Sequence, residues 1–312
     1  MTHAAYIFKP GRYFLNRFRE LQKRCEEHGK QKISRNEKEY FILWSEILEY
    51  LATEGVNINN ITHTEYDMGA WSDACEHGLG GYTSNGKMFR YEIPRRFQGI
   101  FHINMLEFLA AKWTIYLAIK ESREKYRHIA HAGDNTSAVA WLQKSSFNSK
   151  SHPEHSHTSR NLARMLMNEK ATIRNCHKPG VTNFVADILS RDTHLPENVV
   201  KFALSKLFPN LVPESLSFVS LEKEINSELA SLVQLKPNVQ ASPINITRSN
   251  VGRLLGGLDS SKEMVLKIHT LTNLIREKEP CCCPLSLKAL DETNLAKHHS
   301  PVLELVQLAT FA

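Results

Sequence analysis

The chain has 312 residues, of which 42% are hydrophobic and 23% are charged, so it can bury a sizeable core and form about two domains of ordinary size. This composition excludes wholesale disorder, collagen and a coiled-coil fibre. The net charge of +6 suits a polyanionic partner, but it is also common among ordinary soluble proteins and does not select a function.

The cysteines argue against a disulfide framework, because Cys281, Cys282 and Cys283 are adjacent and no pair has the CxxC spacing of a zinc site. The N-terminus lacks an apolar segment followed by a small-residue cleavage site. No apolar run reaches the length of about 18 residues that a membrane span needs. We therefore expect an intracellular protein, cytoplasmic or nuclear, that is neither secreted nor inserted in a membrane.

The N-terminal region carries apolar side chains at helical spacing over 12–54, interrupted by the basic tract EEHGKQKISRNEKE. This pattern predicts two helices joined by a basic connector. From about residue 66 the sequence changes to three short segments, YDMGAWSDA, HGLGGYTSNG and KMFRYEIP. Glycines and the turn dipeptide Asn85-Gly86 separate them, so they predict three antiparallel strands joined by hairpins.

The elements that follow alternate between helix and strand. An apolar helix is predicted at 103–120, followed by the strand RHIAHAGD and the helix TSAVAWLQK, with Asp134 or Asn135 as its N-cap. A polar loop leads to a helix at 158–169, the strand ATIRNCH and the helix NFVADILSR. The sequence thus predicts an α/β fold with a mixed five-stranded sheet, three antiparallel strands and then parallel strands, flanked by helices.

The chain is predicted to consist of three segments. These are a helical segment over 1–62, an α/β domain over 63–195 and a helical, partly disordered C-terminal extension over 196–312. Tracts that contain proline and serine interrupt the extension. Its predicted helices lie at 198–207, 221–235 and 262–277.

Four acidic residues lie where the predicted sheet and its helices could bring them together. Asp73 ends the first strand, Asp134 follows the fourth, and Glu107 and Asp187 lie on flanking helices. Because the carboxyl ends of neighbouring parallel strands lie side by side, we expect one oxygen-rich cluster. Such a cluster cannot stay fully ionised without cations and selects hard divalent metals, Mg²⁺ or Mn²⁺. Two such ions, about 3.5–4 Å apart, support attack of water on a phosphodiester.

Each of these assignments has an alternative. Glu107 could be a solvent-facing helix residue, although it lies among apolar residues where an unpaired carboxylate would be costly to bury. Asp67 shares strand parity with Asp73, which is preferred for its Ser-Asp-Ala context and the glycine-rich turn after it. Asp192 competes with Asp187 at the end of the last helix of the domain. Asp134 has a purely structural alternative, as the N-cap of the helix that follows it.

Four segments, SDACEHGLGGY, INMLEFLAA, GDNTSAVAW and HKPGVTNFVADILSR, resemble in this order the ribonuclease H domain joined to reverse transcriptases of retroelements. The last segment is the most specific, because its histidine, Pro-Gly, Asn and Ala-Asp followed by Leu-Ser-Arg recur in that family with this spacing. The resemblance covers roughly residues 66–192. It implies a ribonuclease H-like fold and a Mg²⁺-dependent endonuclease that hydrolyses the RNA strand of RNA–DNA hybrids by a two-metal mechanism.

The resemblance also implies a role for each matching residue. Asp73 would bridge the two metal ions, and Glu107 and Asp134 would bind the ion that stabilises the leaving group. Asp187 would bind the ion that activates water. His177, ten residues before Asp187, matches a histidine on a mobile loop that assists proton transfer or product release.

The segment 8–62 resembles, more loosely, the helical connection that precedes this domain in such polyproteins, and no YxDD polymerase motif occurs. The chain is therefore interpreted as a fragment of a retrotransposon polyprotein. Its expected partners are RNA–DNA hybrid or other nucleic acid and a polymerase domain encoded elsewhere. Two alternatives stay open: a catalytically inactive nucleic-acid-binding or interaction module derived from such a domain, and another metal nuclease of the same fold, such as a resolvase or integrase.

Overall fold

The computed structural model describes residues 11–55, 66–124, 127–144, 153–207 and 216–236, together with Ala4 and Phe8. Its strands are β1 (Met68–Cys75), β2 (Gly78–Thr83), β3 (Lys87–Glu92), β4 (Arg127–Gly133), β5 (Ala171–His177) and β6 (Ser217–Phe218). They form one sheet with the order β5-β4-β1-β2-β3-β6. The predicted arrangement is confirmed, since β1 to β3 pair antiparallel, and β4 and β5 continue from β1 in parallel.

The predicted number of five strands is wrong, because the sheet has a sixth strand. β6 pairs in parallel with Lys87 and Met88 at the outer edge of β3. Two residues are too few for the alternation of apolar and polar side chains that marks a strand in a sequence. The sequence therefore contains no indication of this strand.

The helices are α1 (Gly11–His28), α2 (Arg35–Glu54), α3 (Ile103–Glu121), α4 (Thr136–Lys144), α5 (Pro153–Asn168), α6 (Phe184–Arg191), α7 (Glu197–Leu207) and α8 (Glu222–Val233). Every helix predicted within the described residues is present. The one predicted at 262–277 lies outside them. No helix in the described ranges has both the length and the apolarity that a membrane crossing requires.

Helix α5 begins at Pro153, earlier than the predicted start at 158. Proline is tolerated in the first turn because the amide of that turn has no partner within the helix. The polar residues that follow are buried: the ring of His155 packs edge-on against Trp141, and Glu154 lies 2.8 Å from Lys236. The part of the predicted polar loop that the structure describes, from Pro153 onward, is therefore helical and largely buried.

Helices cover both faces of the sheet. α3 lies on one face, and its side chains join a large core to which α2 contributes Trp44 and α8 contributes Leu229. α6 and α7 lie against a second core around Trp71 and Tyr82, whose rings stack at 5.0 Å. The division of the chain into three segments stays a prediction, since both terminal regions add side chains to cores that the sheet shares.

Candidate metal centre

Three carboxylates converge at the end of β1. Asp73 lies on β1 and Asp134 directly follows β4, so the parallel pairing of these strands brings the two residues together. Glu107 reaches the same point from α3. One oxygen of each carboxylate lies within 4.8 Å of the others, and the exposed fractions of Asp73 and Glu107 are only 3% and 6%. This cluster is called the carboxylate triad below.

The glycines of β2 bring α6 close to the triad. Gly80 is the neighbour of Asp73 across the β1–β2 pair. A Cβ atom at Gly80 would lie 2.5 Å from the backbone of Leu189 and of Ser190, so only glycine allows α6 to approach this closely. The Ser190 hydroxyl donates a hydrogen bond to the Asp73 carboxylate as a result. The glycine-rich sequence after β1 thus has a packing reason.

The loop that leads into α6 is fixed against the ends of the strands. The Asn183 side-chain amide donates to the Ser72 carbonyl at 2.9 Å, which ties the start of α6 to β1. Gly180 lies over Asp134, since a Cβ atom there would be 2.8 Å from the Asp134 Oδ2 atom. Of the two predicted N-caps of α4, Asn135 is the one whose side chain accepts the Ala138 N–H, at 2.9 Å. The triad therefore lies in a preformed frame.

Burial and mutual repulsion disfavour ionisation of the triad. Burial, and then the charges of Asp134 and Asp187, raise the pKa of Asp73 to about 7, although the Ser190 hydrogen bond opposes this shift. Burial together with the charges of Asp73 and Asp134 raises the pKa of Glu107 to about 10. The pKa of Asp134 is also raised, mainly by burial. Full ionisation would therefore give the triad more negative charge than its protein surroundings neutralise.

Asp187 lies beside the triad but is not one of the three converging carboxylates. It is located on α6, its side chain is 30% exposed, and it forms an ion pair with Arg191 one turn later. Its charge still contributes to the raised pKa values of Asp73 and Asp134. Asp187 is therefore close enough to act on the triad electrostatically while its carboxylate is engaged by an arginine.

His177 ends β5 next to Asp134. Its Nε2 atom lies 2.9 Å from the backbone carbonyl of Asp134, and its side chain is exposed. With that nitrogen protonated, the ring donates to the carbonyl, and its position leaves it accessible to a molecule bound at the triad. The structure thus brings this predicted residue to the edge of the carboxylate cluster.

The two rival aspartates have other surroundings. Asp67 precedes β1, at the opposite end of the strand from the triad, and its Oδ2 atom accepts the His128 N–H at 2.6 Å. Asp192 is fully buried beyond the end of α6, and its carbonyl accepts a hydrogen bond from Arg90 at 3.2 Å. Neither belongs to the triad.

Sequence reasoning missed Ser190 and Arg191, although both belong to the Leu-Ser-Arg end of the segment that carries the resemblance. Their positions one turn of α6 beyond Asp187 could have indicated a contact with the same site. It also missed the backbone amide of Ala74, which donates to Glu107. That contact depends on how α3 docks on the sheet and leaves no mark in the sequence.

Comparisons with protein-family models, with curated proteins and with solved structures found no match for this chain. They therefore assign it to no family. Its function has to be argued from the carboxylate triad and the side chains around it.

Proposed function

We propose that this chain is a Mg²⁺-dependent endonuclease that hydrolyses the RNA strand of RNA–DNA hybrids, as the resemblance to retroelement ribonuclease H domains implies. The observation that carries the proposal is the carboxylate triad, in which three acidic oxygens from distant parts of the chain lie within 4.8 Å of one another. Buried carboxylates this close together are costly unless a cation or a function accounts for them.

The donor set fits a hard divalent cation. All three groups are carboxylates, and oxygen ligands of this kind suit Mg²⁺ and Mn²⁺ better than zinc or copper. Arg191, whose charge lowers the pKa values of Asp73 and Glu107, is already paired with Asp187. The pKa values of Asp73 and Glu107 are raised by burial and by neighbouring acids, so a bound cation would favour their ionised forms. Asp73, Glu107 and Asp134 would hold the metal, with Asp187 available to a second ion if Arg191 moves aside.

When bound, such ions polarise a phosphodiester and lower the pKa of an attacking water. The protein residues supply the alignment. Ser190 orients the Asp73 carboxylate, and the Ala74 amide orients Glu107. His177 is exposed at the rim, where it can accept or release a proton as the strand is cut.

The choice of an RNA–DNA hybrid rests on the resemblance, and two exposed arginines are compatible with it. Arg95 and Arg96 follow β3, at the end of the strands where the triad also lies, and can contact backbone phosphates. Of the other basic residues near the hairpins, Lys87 begins β3 and therefore lies at the end of the sheet opposite to the triad. Arg90 is engaged by the Asp192 carbonyl and lies 4.9 Å from the Phe218 ring centroid.

A labelled RNA–DNA hybrid, with double-stranded DNA as the control substrate, tests the proposal. The purified chain is expected to cut the RNA strand with Mg²⁺ and to lose this activity in EDTA or in Asp134→Asn. Asp67→Asn is the matched control, because it neutralises an aspartate at the far end of β1 and should leave cleavage intact. Equal cleavage of double-stranded DNA would favour another metal nuclease of this fold, such as a resolvase.

The pair formed by Asp187 and Arg191 favours a second candidate, an inactive nucleic-acid-binding module derived from such an enzyme. An arginine on the fourth carboxylate competes with the second metal ion that the two-metal mechanism needs. In that case the chain would bind hybrid without cutting it. Arg191→Gln would then restore cleavage, whereas it would have a smaller or opposite effect on an active enzyme.

A further inference from the structure

Most of the net positive charge of the chain lies in one short segment. Residues 11–35, which comprise α1, the connector and the first residue of α2, contain eight Lys or Arg and three Glu. Their net charge is +5, compared with +6 for the whole chain. The remainder is close to neutral, so this segment dominates the attraction that the protein exerts on a polyanion.

Neighbouring acids neutralise only part of this charge. Among the described side chains, Lys and Arg of this segment form three ion pairs: Arg17 with Glu20, Lys23 with Glu27 and Arg24 with Glu37. Four further cations, Arg19, Lys30, Lys32 and Arg35, are exposed and have no carboxylate within 4.0 Å among the residues that the structure describes. We call these four residues the basic surface. Three of them lie in the connector or at its junction with α2, where no fold requirement accounts for them.

The connector between α1 and α2 lies toward the end of the sheet that holds the triad. Three contacts join α2 to the segment that leads into β5: Tyr40 with Arg160, Glu46 with Arg164 and Glu54 with Lys170. Because later residues of α2 contact later residues of α5 and of the turn after it, the two helices run parallel. α5 runs opposite to β5, so the N-terminal ends of α5 and α2 lie where β1, β4 and β5 end. A cavity of about 590 Å³ lined by Ser34, Tyr40 and Pro153 joins these two ends.

The separation suits a single bound duplex. β5 lies two strands from β1, and α1 and α2 form a layer outside α5. Two strand spacings of about 4.8 Å and two layer spacings of about 9 Å add up to at most about 28 Å between the triad and α2. One turn of a duplex is longer, at about 34 Å. A duplex of about one turn is therefore long enough to extend from the triad to the basic surface.

We propose that the basic surface binds the phosphate backbone of the nucleic-acid duplex that the triad would cut. This inference rests on the proposed function for its choice of an RNA–DNA hybrid as the duplex. Lys and Arg contacts to phosphates position a duplex without reading its sequence, which suits a substrate recognised by its shape. The N-terminal helices thus extend the substrate-binding surface of the α/β domain.

The test measures binding of a short labelled RNA–DNA hybrid to the full chain in EDTA over a range of KCl concentrations. Lys30→Ala/Lys32→Ala removes two cations of the basic surface. Lys87→Ala/Arg123→Ala is the matched control, because it removes two cations at the opposite end of the sheet from the triad, neither of which has a carboxylate partner among the described residues. The first variant is expected to bind about tenfold or more weakly and to reduce the slope of log affinity against log salt by about two. The control is expected to keep both values.

The outcomes separate this inference from the proposed function. A reduced slope in a chain that binds hybrid but does not cut it with Mg²⁺ supports the basic surface and contradicts the nuclease. An unchanged slope for Lys30→Ala/Lys32→Ala, or an equal loss in the control, overturns the inference even if cleavage is found. Binding of the wild-type chain to anionic vesicles but not to hybrid also overturns it.

Discussion

Glu107→Gln is expected to stabilise the metal-free fold while it abolishes cleavage. Glu107 is buried, and its surroundings, with Asp73 and Asp134 nearby, raise its pKa to about 10. At pH 8 the folded chain therefore holds this carboxyl group protonated, whereas the unfolded chain ionises it. A neutral glutamine removes this difference, and its carbonyl can still accept the N–H of Ala74.

The sign follows from proton linkage. An acid whose pKa is raised by folding makes the folded state bind more protons, so the free energy of unfolding falls as the pH rises. For Glu107 this loss of stability accumulates between its ordinary pKa of 4.5 and its pKa of about 10 in the folded chain. Each pH unit in this range lowers the free energy of unfolding by at most about 1.4 kcal/mol, so the loss at pH 8 is at most about 5 kcal/mol. Local relaxation and water entry reduce it, and we expect a gain of about 2–4 kcal/mol.

Urea unfolding in EDTA at pH 5, 7 and 9, followed by circular dichroism, measures this effect. The wild-type chain should lose stability as the pH rises, Glu107→Gln should lose less, and Mg²⁺ should stabilise the wild type more than the variant. Glu124→Gln is the matched control, because it removes an exposed carboxylate away from the triad. The reasoning is refuted if Glu107→Gln is less stable than the wild type at pH 9, or if Mg²⁺ leaves the wild type unchanged.

Four further predictions concern the triad and the packing that supports it. Asp134→Asn should weaken Mg²⁺ binding by at least about tenfold in isothermal titration calorimetry. Lys112→Met should cost about 3–5 kcal/mol in urea unfolding, because it leaves the Glu228 carboxylate buried without its ion-pair partner; Lys112→Met/Glu228→Leu should regain most of this loss. Gly80→Ala should lower stability by about 1–3 kcal/mol and reduce cleavage as well, because the added Cβ atom displaces α6. His177→Ala should slow cleavage by about 100-fold in a single-turnover assay while the affinity for hybrid stays unchanged.

Local signals predicted most of the fold. The Asn85-Gly86 turn was recognisable because Gly86 has a φ of 82°, a conformation that glycine adopts without strain. The apolar helix at 103–120 was recognisable because α3 is buried around most of its surface. The start of α5 and strand β6 were not, since both depend on contacts with residues distant in the sequence.

The site was predictable to the extent that strand ends determine it. Asp73 and Asp134 meet because β1 and β4 are parallel neighbours, which the alternation of helix and strand implied. Side-chain parity could not separate Asp73 from Asp67, because positions an even number of residues apart share a face of a strand. The structure separates them, since Asp67 precedes β1 and Asp73 lies near its end. The ion pair of Asp187 with Arg191 depends on side-chain conformation. A spacing of four residues on a helix allows such a contact but does not require it.

Strand β6 and helix α8 also determine how the protein behaves in solution. β3 would be an edge strand without β6, and an uncovered edge offers unpaired amides and carbonyls to another chain. α8, together with Leu221 just before it, covers the adjacent apolar surface with Ile225, Leu229 and Leu232. A chain shortened to end before residue 216 would expose both features at once. We expect it to aggregate, so that a soluble form of the α/β domain has to extend at least to residue 236.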